Sequence, residues 1–137
     1  MLAKRILVVD DDGSILRLVA TILRREFGQV DTAKGGAEAL SKIELTRYDV
    51  IVLDLMMPEV SGYDVLRAIH LREPEAPCVV VMSAASSFHI ANAINPNVFA
   101  TVSKPFDNAH LIETVRKCSE GSCPTDALPG HPLGAAA

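Results

Sequence analysis

Two kinds of segment alternate along most of this chain, and that alternation constrains the fold more than any other feature. Short, almost continuously apolar runs occupy residues 6–9, 50–53, 78–82 and 98–102, with a weaker run around Val30. Between them lie longer stretches whose apolar residues recur every three or four positions. The runs predict β-strands and the stretches predict α-helices. Strands that are apolar on both faces are typical of a parallel sheet covered by helices on each side.

Helical spacing is clear within residues 15–23, 39–43, 65–69 and 111–118. A poorer helix is predicted over 86–95, with Asn92, Asn95 and Pro96 marking its end. Strands and helices in strict alternation place the chain in the α/β class. With short connections and right-handed crossovers, they predict a doubly wound (βα)5, flavodoxin-like fold with a five-stranded parallel sheet in the order 2-1-3-4-5.

Composition separates one folded domain from a tail. Residues 1–118 carry the periodic pattern, whereas 119–137 are rich in Gly, Pro, Ala and Ser, and we predict that they form a disordered tail. A net charge of -4 disfavours binding to nucleic acid. No apolar run approaches the ~20 residues of a membrane-spanning helix, so we expect a cytoplasmic protein that does not bind a membrane.

The cysteines indicate neither a metal site nor a disulfide framework. Cys78, Cys118 and Cys123 are odd in number and lack the spacing of metal ligands. We therefore expect buried or free thiols.

Polar residues follow four of the apolar runs. Asp10, Asp11 and Asp12 follow the first run, Asp54 the third, Ser83 the fourth and Lys104 the fifth. Ligands of open parallel sheets bind beyond the carboxyl ends of the strands, so these groups are expected to meet at one edge. Asp12 is better explained as the N-cap of the first helix.

This set of groups is suited to phosphoryl transfer. Clustered carboxylates repel one another unless a cation compensates them, and Mg²⁺ takes one or two carboxylates together with phosphate oxygens. Lys104 supplies positive charge to a transferring phosphoryl group, and the Ser83 hydroxyl donates to one of its oxygens. A carboxylate nucleophile would form an acyl phosphate.

The same residues resemble the receiver domain of two-component response regulators, in particular the single-domain, chemotaxis-regulator-like kind. The resemblance covers residues 4 to 118. It rests on four motifs, which are Ile6-Leu7-Val8-Val9-Asp10-Asp11, Asp54-Leu55-Met56-Met57-Pro58 with Gly62, Ser83-Ala84, and Lys104-Pro105-Phe106.

The resemblance implies a role for each matching position. Asp54 would be the phosphoacceptor, and Asp11, Asp54 and the backbone carbonyl of Met56 would bind Mg²⁺ or Mn²⁺, with Asp10 acting through a coordinated water. Ser83 and Lys104 would contact the phosphoryl group. The phosphodonor would be a phosphohistidine on a sensor kinase or a histidine phosphotransfer protein, and the bond before Pro105 would be cis.

One position departs from the family pattern. Receivers usually carry an aromatic switch residue three positions before the lysine, and this chain has Thr101 there. Phe99 lies two residues earlier, and the period of two predicts that it shares a face with Thr101. We therefore expect a smaller or differently transmitted conformational change.

Several alternatives stay open. A haloacid-dehalogenase-like phosphatase would use Asp10 as its nucleophile, and a degenerate receiver would only bind partners. We expect no enzymatic activity beyond the chain's own phosphorylation and dephosphorylation. The expected protein is a monomer that either docks on a downstream protein target or passes the phosphoryl group on in a phosphorelay. The exposed face of the last helix, with His110, Glu113, Arg116 and Lys117, is a candidate docking surface.

Overall fold

The computed structural model describes residues 4–72, 76–83, 88–104 and 106–120. Strands and helices alternate through the described residues, as the sequence predicts. Their bounds are β1 Arg5–Val9, α1 Gly13–Phe27, β2 Gln29–Ala33, α2 Gly36–Leu45, β3 Val50–Asp54, α3 Gly62–His70, β4 Cys78–Met82, α4 Phe88–Ile94, β5 Val98–Val102 and α5 Asn108–Ser119.

The strands form one parallel sheet in the order β2-β1-β3-β4-β5, which confirms the predicted fold class and strand order. The register pairs Val9 with Leu53 and Asp54 with Met82. The carboxyl ends of β1, β3 and β4 are therefore level with one another, so residues that follow these strands emerge at a common edge.

The sheet separates two apolar layers. Successive residues of a strand point to opposite faces, and accordingly Leu7 and Val9 belong to one buried cluster while Ile6 and Val8 belong to the other. Helices α2, α3 and α4 contribute their buried residues to the first cluster, and α1 and α5 contribute theirs to the second. Packing on both faces explains why the strands are apolar at consecutive positions.

Strand β5 contains an irregularity that overturns one prediction. Val79 pairs with Val98 and Val80 pairs with Ala100, so Phe99 is an extra residue in the ladder. Phe99 packs against the cluster on the α1 and α5 side. Thr101 instead pairs with Val81, whose side chain lies in the opposite cluster. The prediction that Phe99 shares a face with Thr101 is therefore wrong, because a bulge breaks the period of two.

The cysteine prediction is also wrong for two of the three residues. Cys78, at the start of β4, and Cys118, near the end of α5, form a disulfide with a Cα–Cα distance of 5.9 Å. The bond joins positions 40 residues apart, and their proximity is created by the packing of α5 against the sheet.

Other predictions lie wholly or partly outside the described residues. They concern the tail from 121 onwards, Cys123, Ala84, the first residues of the fourth helix, and the peptide bond before Pro105. Helix α5 ends at Ser119, one residue beyond the predicted end of the domain. In the described ranges, no helix has the length and apolar character needed to cross a membrane.

Candidate functional site

Asp10 lies at the end of β1 and has no exposed surface. Its backbone N–H donates to the carbonyl of Ala33, at a distance of 3.2 Å, which continues the pairing of β1 with β2. One carboxylate oxygen accepts a hydrogen bond from the backbone N–H of Asp12 at 2.8 Å, and the other accepts one from Lys104 Nζ at 2.8 Å. Both oxygens of this buried carboxylate therefore have a donor.

Asp12 caps helix α1, as the sequence predicts. Its Oδ1 accepts hydrogen bonds from the backbone N–H groups of Ser14 at 2.9 Å and Ile15 at 3.3 Å. Because these N–H groups have no partner within the helix, the cap stabilises the helix start by about 1 kcal/mol. The cap also determines where the chain turns away from Asp10 and Asp11.

Asp54 is the last residue of β3 and is 5% exposed. Its Oδ1 accepts a hydrogen bond from the backbone N–H of Met56 at 3.2 Å, and its Oδ2 lies 3.6 Å from Lys104 Nζ. Gly62, the first residue of α3, packs directly on the backbone of Asp54, and a Cβ at Gly62 would overlap the Asp54 carbonyl oxygen. The absence of a side chain at Gly62 thus lets α3 begin against the strand that presents Asp54.

Three carboxylates come together at this edge. One oxygen each from Asp10, Asp11 and Asp54 lies within 4.8 Å of the others, with Asp11 exposed and the other two buried. Hard carboxylate oxygens near a solvent-accessible opening are the donor set that Mg²⁺ or Mn²⁺ takes, and the remaining positions are filled by water or phosphate oxygens. The residues present therefore fit a divalent cation.

The electrostatics of the cluster indicate the same need for compensation. Burial, followed by the negative charge of Asp10, raises the pKa of Asp54 to about 6, although Lys104 and the Met56 N–H act in the opposite direction. Burial alone would lower the pKa of Lys104, but its hydrogen bond to Asp10 and the charges of Asp10 and Asp54 outweigh burial and raise it. Lys104 is therefore a cation held between two buried carboxylates.

The groups open into one cleft of about 510 Å³. Its lining comprises Asp10, Asp11, Asp12, Ile15, Asp54, Met56, Ser83 and Lys104. Ser83 follows β4, and its backbone N–H donates to the carbonyl of Val102 at 3.2 Å, which places it beside the end of β5. All the site residues predicted from the strand ends thus border the same cleft. Thr101 is not part of this lining and is half-buried on β5.

Sequence reasoning missed two features of the site. It assigned Lys104 to an incoming phosphoryl group, but in this structure Lys104 is bonded to Asp10 across 94 residues of sequence. The sequence predicts that Lys104 and Asp10 reach the same edge of the sheet. It contains no further signal that the two side chains form an ion pair. Helix residue Ile15 at the rim of the cleft was also not anticipated.

Comparison with known proteins identifies the family. The family described as the response regulator receiver domain matches residues 6–116, and the chain belongs to this family. Signalling based on phosphorylation is the general function of the family, whose members interact with histidine kinases and downstream effectors.

Among curated proteins, the cell cycle response regulator CtrA of Brucella ovis is 30% identical over 111 residues, which are 81% of this chain and 48% of that protein. The chain therefore spans about half the length of the curated relatives that it matches.

Solved structures agree with this assignment. A CheY-like receiver domain protein from Methanospirillum hungatei is 27% identical with a TM-score of 0.78, over 88% of this chain and 96% of that one. The chemotaxis response regulator CheY4 of Vibrio cholerae is 26% identical with a TM-score of 0.77, over 85% of this chain and 99% of that one.

Proposed function

We propose that this protein is a phosphorylation switch in which Asp54 accepts a phosphoryl group from a phosphohistidine on a sensor kinase or a phosphotransfer protein. The observation that carries the proposal is the position of the Asp54 carboxylate, with Asp10 and Asp11 oxygens within 4.8 Å and Lys104 Nζ at 3.6 Å. A carboxylate nucleophile, an acidic cation site and a lysine are the parts that transfer to an aspartate requires.

In this reaction an Asp54 carboxylate oxygen attacks phosphorus, an O–P bond forms, and the P–N bond to the donor imidazole breaks. With a pKa of about 6, Asp54 is mostly ionised near pH 7 and so has the electron pair that attack requires. Asp11, Asp54 and the Met56 carbonyl would hold Mg²⁺ or Mn²⁺, with Asp10 contributing through water, and the cation would neutralise charge on the phosphoryl oxygens. Lys104 and Ser83 bind the remaining phosphoryl oxygens.

Asp54 is a better nucleophile candidate than Asp10, the nucleophile of the alternative phosphatase. Both oxygens of Asp10 accept hydrogen bonds at 2.8 Å, one from Lys104 and one from the Asp12 backbone. Asp54 has a longer bond to Met56 at 3.2 Å and a lysine contact at 3.6 Å. The carboxylate oxygens of Asp54 are therefore less tightly hydrogen-bonded than those of Asp10. On this proposal the chain is not an enzyme towards other molecules.

The proposal extends to output and location. The protein acts in the cytoplasm as a monomer, where its phosphorylated form either docks on a downstream protein target or passes the phosphoryl group on. The length of the curated relatives leaves room for an attached effector domain in such proteins.

The test is labelling with acetyl phosphate and Mg²⁺, followed by mass spectrometry of the intact protein and its peptides. Asp54→Asn should abolish the mass gain of one phosphoryl group, and chelation of Mg²⁺ with EDTA should do the same in the wild type. Asp12→Asn is the matched control, because asparagine removes a charge from the same cleft and still caps the helix. It should keep labelling within about threefold.

Two results would contradict the proposal. A label on Asp10 would favour the phosphatase alternative, and the absence of Mg²⁺-dependent label on the folded wild type would favour a receiver that only binds partners. If Asp54 is labelled, phosphotransfer assays with purified histidine kinases would identify the phosphodonor.

A further inference from the structure

The disulfide between Cys78 and Cys118 lies outside the acidic cleft and has no part in phosphoryl transfer. Cys78 is the first residue of β4, whereas the cleft is reached at Ser83, beyond the last residue of the same strand. The bond therefore joins α5 to the amino end of β4, at the end of the strands opposite the cleft. It closes a loop with a sequence separation of 40 residues.

The two sulfur-bearing residues differ in accessibility. Cys118 is 2% exposed and belongs to the buried cluster between the sheet and α5. Cys78 is only partly buried at the margin of that cluster. Exchange with an external thiolate depends on access to the attacked sulfur, so Cys78 is the expected point of attack and Cys118 the leaving thiolate.

The disulfide acts on the part of α5 that also contacts α1. Arg116, two residues before Cys118, forms an ion pair with Glu26 at 3.1 Å, and its guanidinium lies 5.8 Å from the centroid of the Phe27 ring. The ion pair to α1 is half-exposed, whereas the covalent contact to β4 joins a buried Cys118 to a partly buried Cys78. Loss of the S–S bond would leave the last turn of α5 held by packing and by a surface ion pair of small strength.

We propose that Cys78 and Cys118 are a reversible thiol–disulfide modification site that responds to a dithiol reductant and controls the order of the last turn of α5. In the reducing direction, a thiolate of the dithiol attacks Cys78 Sγ, and Cys118 leaves as a thiolate and takes up a proton. The second thiol of the reductant then attacks the mixed disulfide, releases Cys78 as a thiol and leaves the reductant as its own disulfide. Two electrons and two protons pass to the protein, and a disulfide oxidant such as glutathione disulfide reverses the step.

This site bears on signalling because α5 packs on β4 and β5, the strands that lead to Ser83 and Lys104. The oxidised form fixes the end of α5 against the start of β4. Because the thiol–disulfide exchange does not use Asp54, this proposal is independent of whether Asp54 is phosphorylated.

The first experiment counts thiols in the full chain carrying Cys123→Ser, so that only the two cysteines of the bond remain. The protein is equilibrated with glutathione disulfide. One sample is then denatured and treated with N-ethylmaleimide, and a second sample is reduced with dithiothreitol before the same treatment. We expect no adduct before reduction and two after it. Two adducts before reduction would overturn the proposal.

The second experiment tests the order of attack with single variants. With Cys123→Ser also present in both proteins, the remaining Cys78 of Cys118→Ser should react with N-ethylmaleimide in the native state at least tenfold faster than Cys118 does in Cys78→Ser. Equal rates would overturn the assignment of Cys78 as the entry point.

The third experiment measures amide hydrogen exchange by mass spectrometry. Reduction should raise exchange in residues 116–119 at least tenfold and leave the central strand β3 unchanged. The double variant Cys78→Ala, Cys118→Ala should exchange like the reduced protein and should not respond to dithiothreitol, which separates loss of the bond from an effect of the reductant. Unchanged exchange at 116–119 on reduction of the wild type would overturn the control of α5 by this bond.

Discussion

Replacing Asp54 by asparagine should stabilise the protein in the absence of divalent cations. The substitution keeps the size of the side chain and removes its negative charge. Asp54 is only 5% exposed, and the charge of Asp10 acts on it. Burial and the charge of Asp10 raise the pKa of Asp54 from 3.8 to about 6, so the folded state binds this proton more tightly than the unfolded state does. The ionised carboxylate is therefore unfavourable for folding.

The size of the effect follows from the pKa shift. Each pKa unit is worth about 1.4 kcal/mol, so a rise from 3.8 to about 6 makes ionised Asp54 destabilising by about 3 kcal/mol. The sign is that of an acid whose pKa is raised on folding. Its contribution is most favourable below pH 3.8 and is lost as pH rises through 6, since the unfolded chain releases the proton first.

Urea unfolding of oxidised wild type and Asp54→Asn in EDTA, between pH 4.5 and pH 8, checks this reasoning. The variant should be more stable by 1–3 kcal/mol at pH 7.5, and the difference should shrink as pH falls below 6. Asp12→Asn is the control for loss of a charge at the cleft and should change the free energy of unfolding by less than about 1 kcal/mol.

Magnesium should cancel most of this difference in stability. A ligand at a hundredfold excess over its Kd adds about 2.7 kcal/mol to the folded state, and that gain should appear in the wild type and be largely lost in Asp54→Asn. An Asp54→Asn protein that is less stable than wild type in EDTA at pH 7.5, or a difference that does not vary with pH, would refute the argument that Asp54 is held ionised at a cost.

Three further substitutions test other parts of the structure. Thr101→Tyr places an aromatic ring beside Val81 and should leave the rate of labelling by acetyl phosphate within about twofold while changing the affinity for a protein partner; unchanged affinity would exclude a relay through this position. Gly62→Ala should lower the free energy of unfolding, measured with urea, by about 1–3 kcal/mol, because its Cβ would overlap the Asp54 carbonyl. A variant as stable as the wild type would contradict that packing. Asn95→Ala should cost about 1–3 kcal/mol by calorimetry, since the buried Asn95 amide donates to the α3 carbonyl of Leu66 at 3.0 Å, and a loss below 0.5 kcal/mol would show that this bond is dispensable.

The fold could be predicted from the sequence because its signals are local. A strand buried on both faces must be apolar at consecutive positions, and the runs ending before Asp10 and at Leu53 show this directly. Parallel strands must also bring their carboxyl ends to one edge. The same argument predicts that Asp54, Ser83 and Lys104 meet, and they line one cleft.

The failures have a different origin. The period of two puts Phe99 on the same face as Thr101, which is wrong because the extra residue in β5 is defined by pairing with β4. Nothing in Val98 to Val102 itself marks that extra residue. Cysteine count and spacing predict thiols at Cys78 and Cys118, because they describe only the chain. A disulfide depends on a Cα–Cα distance that packing creates. Asn95 was correctly placed at a helix end, but its bond to Leu66 depends on how α4 lies against α3.

The contact between Lys104 and Asp10 connects these observations to switching. Lys104 Nζ is 2.8 Å from Asp10 and 3.6 Å from Asp54, so its shorter contact is with the carboxylate that is not the proposed acceptor. A phosphoryl group on Asp54 would add negative charge on the other side of Lys104 and draw it from Asp10. Thr101, three residues earlier, has a buried hydroxyl without a hydrogen-bond partner among the described residues. A relay through this position would therefore act on that buried hydroxyl and not on the rotation of an aromatic ring.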